Sequence, residues 1–190
     1  FKSFDDPRLI YVPVDSHRDL GGSRAAAFRH LRGQFIAVLD TDDVWLPEKL
    51  ASQLPYFNES DVGIVICNTI FFSEKYEKIL YRRGNPPTGW VTRDLLNHYF
   101  VSLETLVMRR SFIDQLSIAF DPDFSFIADF DLVIRLSNIC KMEYCPIILA
   151  KWRVHSESCT WRSSHVFSDE KERWAKKQMK CGNIYTSSLK

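Results

Sequence analysis

The sequence predicts an α/β fold, a three-layer sandwich in which helices cover both faces of a mixed, mostly parallel β-sheet. Apolar runs rich in β-branched residues alternate with segments of helical composition, and this alternation is typical of α/β domains. A strand at 9–14, a helix at 24–32 and a strand at 35–39 form the first β-α-β unit. We expect Gly21-Gly22 to interrupt the chain before this helix and Gly33 to end it.

The rest of the chain repeats the pattern. Segment 68–89 has a looser pattern of aromatic and polar residues and is where we expect strands outside the main sheet. We divide the chain into a domain at 1–160 and a C-terminal basic helix and tail at 161–190. The other predicted elements are helices at 48–57, 92–99, 111–116, 129–139 and from Ser168 onwards, and strands at 62–67, 103–108 and 147–154.

The composition excludes several classes of protein. The 190 residues include 25 Lys and Arg against 24 Asp and Glu, so the chain lacks the strong positive charge of nucleic-acid-binding proteins. Five scattered cysteines without a C-x-x-C pair argue against a disulfide framework or a zinc ribbon, and they favour a reducing, cytoplasmic location. No apolar run approaches the roughly 20 residues that a membrane-spanning helix needs.

Three carboxylates, Asp40, Asp42 and Asp43, follow the uncharged run 35–39 directly. A strand without charges is typically buried on both faces, and its carboxyl end lies at the rim where open α/β sheets bind ligands. A turn after Leu39 would bring all three acids together. Such oxygen ligands suit Mg²⁺ or Mn²⁺, whose coordination substrate phosphates often complete. The alternative is a solvated acidic turn before the next helix.

Two further features carry potential chemistry. Asp129 and Asp131 open a predicted helix after the aromatic segment 120–126, and aromatic surroundings favour the raised carboxyl pKa that a general base needs. As first-turn acids, however, they would need no function at all. His155 follows the last predicted strand, and a single histidine is commonly structural unless it converges with other ligands.

Three ordered segments together resemble a known family: 33–50, which contains Asp-Thr-Asp-Asp; 128–136, which begins Ala-Asp-Phe-Asp; and Trp-Arg-Val-His at 152–155. In this order, over roughly residues 5 to 160, the chain is similar to the family 2 glycosyltransferases of the GT-A fold. These enzymes transfer sugars from nucleotide donors. The resemblance implies the Rossmann-like sandwich of nucleotide-diphospho-sugar transferases.

The resemblance also implies residue roles. Asp42 corresponds to the metal-binding acid of the D-x-D motif, and Asp40 and Arg24 correspond to contacts with the donor nucleotide. Asp129 matches the catalytic base that takes a proton from the acceptor hydroxyl in an inverting reaction. His155 matches a histidine that helps to hold the metal or the donor diphosphate.

The implied cofactor is Mn²⁺ or Mg²⁺, and the implied partners are a nucleoside-diphosphate sugar and a saccharide or lipid-linked acceptor, as in polysaccharide biosynthesis. Membrane proximity is implied by the resemblance alone, as a peripheral contact. Asp131 and Arg135 lie four residues apart on one helix and can pair, so we take them as scaffold or acceptor contacts.

The family's first strand has no counterpart before Phe1, so we expect an N-terminally incomplete domain that lacks this strand. A non-catalytic or truncated relative that binds nucleotide sugars, or serves as a partner subunit, is therefore the main alternative to an active enzyme. A metal-dependent phosphoryl-transfer enzyme is a third possibility, weakened because the sequence has no glycine-rich phosphate loop.

Overall fold

A computed structural model of the chain describes residues 5–13, 20–155 and 164–180. Within these ranges the strands are β1 (Phe35–Ala37), β2 (Val44–Trp45), β3 (Val62–Phe72), β4 (Glu77–Ile79), β5 (Val107–Arg109) and β6 (Lys141–Arg153). The α-helices are α1 (Leu20–Phe28), α2 (Lys49–Gln53), α3 (Thr92–Asn97), α4 (Arg110–Ile113), α5 (Ala128–Ser137) and α6 (Ser164–Lys180). Short 3-10 segments at Leu54–Asn58 and Leu103–Thr105 complete these elements.

The described strands form one sheet in the order β1-β5-β3-β6-β2, with β4 attached to β3. Strands β3 and β6 are the long central pair and run parallel. The other neighbouring pairs are antiparallel. Strand β5 lies between β1 and β3 and runs against both, β4 runs against β3, and β2 runs against β6. The predicted α/β sandwich with a mixed sheet is therefore confirmed, with parallel pairing confined to its centre and β1, β3 and β6 pointing the same way.

The two faces of the sheet pack against different helices. Alternate residues of β3 divide between the faces, with Ile64 and Ile66 in the main core and Val65 on the other side. The main core also takes its apolar residues from α3, α5 and α6, including Leu132 and Trp174. Phe57 of the 3-10 segment that follows α2 covers the second face. Helices on both faces give the three layers that the sequence indicates.

The predictions for the first β-α-β unit are wrong in two places. Residues 9–13 of the predicted strand are not a strand, because no described strand pairs with them and Leu9, Ile10 and Tyr11 remain 46%, 56% and 68% exposed. Val14 lies outside the described residues. The helix begins at Leu20 rather than at Arg24 and includes the two glycines that we expected to interrupt the chain. It ends at Phe28, so it does not reach Arg32 and Gly33 does not end it.

Packing explains why α1 contains Gly21. A Cβ atom at this position would lie 2.0 Å from the carbonyl oxygen of Phe124, so only glycine allows α1 to approach the backbone of that loop. The backbone N–H of Leu20 also donates to Ser125 Oγ at 3.1 Å. Helix α1, which carries Arg24, is thereby held against the segment that precedes α5.

Two other segments differ from the predicted elements for local reasons. The helix expected at 48–57 is divided, because Pro55 lacks an N–H and stands in the first turn of the 3-10 segment that begins at Leu54 after α2. The strand expected at 103–108 begins as a 3-10 turn in which Thr105 donates through both its N–H and its hydroxyl to the carbonyl of Ser102. Only its second half continues as β5.

Helix α6 packs on the main core, where the indole of Trp174 is 6% exposed. The boundary that we set between 160 and 161 stays a prediction. Across the part of the chain that is described, no helix combines the length and the apolar character needed to cross a membrane.

Candidate active site

The acidic segment after β1 forms a tight turn. The N–H of Asp43 donates to the carbonyl of Asp40 at 3.1 Å, which closes the turn around Thr41 and Asp42. The chain then enters β2, whose residues Val44 and Trp45 pair with Lys151 and Ala150 near the end of β6. This antiparallel pairing places the acids beside the residues that follow β6.

His155 reaches the acidic turn through that pairing. Its Nε2 lies 2.8 Å from Oδ2 of Asp42, and both side chains are partly exposed. Arg153 fixes the turn from the same side, because its N–H donates to Oδ1 of Asp43 and its Nε donates to the carbonyl of Asp42, both at 2.9 Å. Two segments about 110 residues apart in sequence therefore meet at one edge of the sheet.

A cleft with a volume of about 530 Å³ joins the acidic turn to the start of α5. Asp40, Asp42 and Asp43 line one part of it, and Asp129 lines another, so the predicted metal-binding acid and the predicted base face the same space. The remaining lining side chains are mostly aromatic or apolar, and they include Phe71, Tyr99, Phe126, Trp152 and Phe167.

Arg24 crosses the cleft from α1. Its Nη2 donates to both carboxylate oxygens of Asp40, at 2.9 and 3.1 Å, and its side chain is largely buried. Its positive charge also favours the ionised form of Asp129. The two residues that we predicted as donor contacts thus hold each other. Their roles toward a nucleotide stay predictions.

Asp129 occupies the first turn of α5 and is partly buried. Burial raises the pKa of its carboxyl group, although Arg24, nearby backbone N–H groups and Tyr99 act in the opposite direction. The hydroxyl of Tyr99 donates to Oδ2 of Asp129 at 3.3 Å, and the ring of Tyr99 packs edge-on against Phe130. A carboxylate with a raised pKa at the wall of a cleft has the properties of a general base.

Asp131 and Arg135 do not line the cleft. Asp131 is 1% exposed, and its Oδ2 accepts from Nε and Nη2 of Arg135. Its Oδ1 accepts from the indole N–H of Trp174 at 2.9 Å, and Arg135 also donates to the carbonyls of Ile118 and Ala119. This is the scaffold arrangement among the two that the sequence left open.

The sequence reasoning missed Glu104, which lies beneath the acidic turn. It is 1% exposed, lines the cleft, and accepts from the hydroxyl of Ser102. Burial raises the pKa of Asp43 to about 7, and the negative charges of Glu104, Asp42 and Asp40 add to the rise. The sequence did contain a signal for Glu104, which is an acid within the mostly apolar stretch 101–108. Acids are rarely buried unless a partner or a function compensates the cost of burial.

The contact between Asp42 and His155 bears on the predicted metal site. No group of three or more His, Cys, Asp and Glu side chains in the described ranges could hold a metal. Oδ2 of Asp42 and Nε2 of His155 are 2.8 Å apart. This separation is close to the roughly 3 Å between adjacent ligand atoms of an octahedral Mg²⁺, and binding of a metal by this pair stays a prediction.

Comparison with known proteins identifies the family of the chain. The chain matches the family model described as Glycosyl transferase family 2 over residues 1–116, a range that includes Arg24, Asp40 and Asp42 but ends before Asp129. It is 24% identical to an uncharacterized glycosyltransferase of Methanocaldococcus jannaschii, over 95% of this chain and 64% of the relative.

An Escherichia coli relative is 26% identical over 90% of this chain and 64% of its own length, and it is named as a UDP-Glc:alpha-D-GlcNAc-diphosphoundecaprenol beta-1,3-glucosyltransferase. The chain therefore spans about 64% of the length of these two relatives. A succinoglycan biosynthesis protein of Rhizobium meliloti is 35% identical over a shorter segment, 33% of this chain and 18% of that protein. The family model covers more than half of the chain, and the chain therefore belongs to glycosyltransferase family 2.

Proposed function

We propose that the chain is the catalytic part of an inverting, metal-dependent glycosyltransferase. It would move a sugar from a nucleoside-diphosphate donor to an acceptor hydroxyl, with Asp129 as the general base. The observation that carries this proposal is the single cleft of about 530 Å³ that Asp40 and Asp42 share with Asp129, with His155 in contact with Asp42.

The charge of the cleft supports metal dependence. The lining side chains include five carboxylates, those of Asp40, Asp42, Asp43, Glu104 and Asp129, against the guanidinium of Arg24. A diphosphate would be repelled from this cleft unless a cation entered with it. Asp42 and His155 are the residues that would hold Mn²⁺ or Mg²⁺, and the bound ion would neutralise charge on the departing nucleoside diphosphate.

Asp129 would act on the acceptor. Its carboxylate takes the proton of the acceptor hydroxyl while that oxygen forms a bond to the anomeric carbon of the donor sugar. The bond between this carbon and the diphosphate oxygen breaks, and its electron pair leaves with the nucleoside diphosphate. Attack opposite the leaving group inverts the anomeric centre. The raised pKa of Asp129 makes it a stronger base than an ordinary aspartate, provided that the pH keeps it ionised.

Substrates can be proposed from the named relatives. Because the E. coli relative is named for transfer from UDP-Glc to a GlcNAc-diphosphoundecaprenol, we take UDP-glucose as the first donor to test and a diphosphate-linked saccharide as the first acceptor. A lipid-linked acceptor of this kind would bring the protein to the cytoplasmic face of a membrane as a peripheral partner. Polysaccharide biosynthesis is the corresponding process.

Calorimetric titration with UDP, GDP and dTDP, each with and without Mn²⁺, tests the donor site. We expect heat with one nucleotide, and a much weaker signal without the metal. Mass spectrometry of a reaction with UDP-glucose and a lipid-diphosphate GlcNAc acceptor then tests transfer. Binding without transfer under any condition would favour a non-catalytic nucleotide-sugar-binding protein, and no heat with any nucleotide would remove the enzyme interpretation for this chain.

A further inference from the structure

Helix α6 contacts the segment that carries Asp129 through three polar side chains on one face. Glu170, Trp174 and Lys177 follow the i, i+4, i+7 spacing that places residues on the same side of a helix. Each binds a different part of the segment 121–131, which lies more than 40 residues earlier in the chain.

Glu170 makes the central contact. Its side chain is buried, with the residue 3% exposed, and its carboxylate accepts hydrogen bonds from three successive backbone N–H groups. Ser125 donates at 3.0 and 3.2 Å to the two oxygens, Phe126 at 2.9 Å and Ile127 at 3.1 Å. Burying a carboxylate is costly unless such donors satisfy it, so the position of Glu170 and the path of these three residues depend on each other.

These three residues lead directly into α5. Ile127 is the N-cap residue, and it has no side-chain oxygen that could bind the start of the helix. Glu170 instead binds the N–H groups of the three residues that lead into the helix, and so fixes the direction from which the chain enters α5. Asp129 is only two residues further along the chain, so the direction in which α5 starts determines the position of the Asp129 carboxylate.

The two other contacts fix the same segment on either side. The indole N–H of Trp174 donates to Oδ1 of Asp131 at 2.9 Å, which holds the rotation of α5. Lys177 donates to Oδ2 of Asp121 at 2.6 Å and to Oδ2 of Asp123 at 2.7 Å, which holds the loop before it. Neither Glu170, Trp174 nor Lys177 lines the cleft, so an effect on chemistry must pass through residues that do, which are Ser125, Phe126 and Asp129.

We propose that Glu170 is a positioning residue for sugar transfer: through the N–H groups of Ser125, Phe126 and Ile127 it holds Asp129 in place to take the acceptor proton. This inference rests on the proposed function of Asp129. It also gives α6, which the sequence indicated only as a basic helix outside the domain, a direct part in the transferase site.

Variants of the full 190-residue chain test this role. We expect Glu170→Ala to lower kcat by between about 10-fold and 100-fold, because small displacements of a catalytic group cost this much. KM for the donor should change less than kcat, since the acidic turn and His155 lie on other elements. Glu170→Gln keeps an oxygen acceptor for these N–H groups and should recover part of the lost kcat. Glu172→Gln, an exposed acid on the same helix that pairs with Lys176, is the matched control and should behave as wild type.

Hydrogen exchange makes the test independent of catalysis. In Glu170→Ala, we expect faster amide exchange in peptides that cover 121–131 and unchanged exchange in peptides from β3. If the wild-type chain transfers no sugar, the proposed function fails, and exchange alone decides whether Glu170 holds this segment. If transfer is active and kcat of Glu170→Ala equals that of Glu172→Gln, or if exchange at 121–131 is unchanged, the positioning role is overturned.

Discussion

The two sides of the cleft are held in place in different ways. On the side that we propose for the donor, the donor side, Asp40, Asp42 and Asp43 belong to one four-residue turn. Their side chains reach solvent, and Asp42, for example, is 44% exposed. On the side of the proposed base, the base side, Asp129 is held by Tyr99 and by a helix start that Glu170 binds from at least 43 residues away. The donor side is a local motif, and the base side is a product of tertiary packing.

This difference predicts how each side fails. A change on the donor side should remove ligand contacts and leave the fold intact, because those side chains carry little of the core. A change on the base side can act through the backbone, so a distant residue can alter turnover without touching substrate. The following variants separate these two behaviours.

The largest effect is expected for Asp129→Asn. If Asp129 is the base, kcat should fall by about 10²- to 10⁴-fold while the affinity for nucleotide, measured by calorimetry, stays near that of wild type. The wild-type enzyme should also lose kcat as the pH falls through the raised pKa of Asp129, since the protonated carboxyl cannot accept the acceptor proton. Asp94→Asn, which changes another first-turn acid on α3, is the matched control. Equal rates for the two variants would remove the base role.

A smaller and different effect is expected for Asp42→Asn. Loss of one of the two proposed ligands should weaken Mn²⁺-dependent nucleotide binding by about 10- to 100-fold, as changes around metal sites typically do. The melting temperature should change little, because the side chain is 44% exposed. Asp61→Asn serves as the control, since Asp61 is a similarly exposed acid that pairs with Lys141. Nucleotide affinity that matches the control would contradict the proposed metal site.

The smallest effect on turnover and nucleotide binding is expected in the layer beneath the donor side, where Lys49 is 1% exposed and donates to Gln53 and to the carbonyl of Thr105. Burial lowers the pKa of Lys49 to about 8 from an ordinary 10.5. Below pH 8 the amine is charged in both the folded and the unfolded chain. Between these two values the unfolded chain keeps a proton that the folded protein has released, so Lys49 makes the free energy of unfolding rise with pH.

Lys49→Met should remove that rise. Urea unfolding should be measured at pH 8 and at pH 10.5. Between these values, the free energy of unfolding of the wild type should rise relative to that of the variant by up to about 3 kcal/mol, the equivalent of this pKa difference. Subtracting the variant cancels the other groups that titrate in this range. If the free energies of unfolding of the two proteins change equally with pH, Lys49 keeps an ordinary pKa. Nucleotide binding should be unchanged in either case.

The same contrast explains what could be predicted from the sequence. The acids at 40–43 stand at the end of an apolar run, so their place at the rim of the sheet follows from local pattern. The roles of Asp129 and His155 came from resemblance; the structure places Asp129 in the cleft and His155 against Asp42, which lines the same cleft. Glu170 could not be found, because nothing in a basic helix indicates which of its acids turns inward. The strand predicted at 9–14 is wrong over its described residues, 9–13, because a strand needs a neighbour to pair with, which a local pattern cannot supply.

The contact at Gly21 joins the two sides of the cleft. Arg24 lies one turn further along α1, so the distance between this helix and the loop at Phe124 fixes how far the guanidinium extends over Asp40 and toward Asp129. A larger residue at position 21 would increase the distance between α1 and the loop at Phe124. Under the proposed function, the residue at position 21 would therefore control the room available to the donor sugar without any change to the acids themselves.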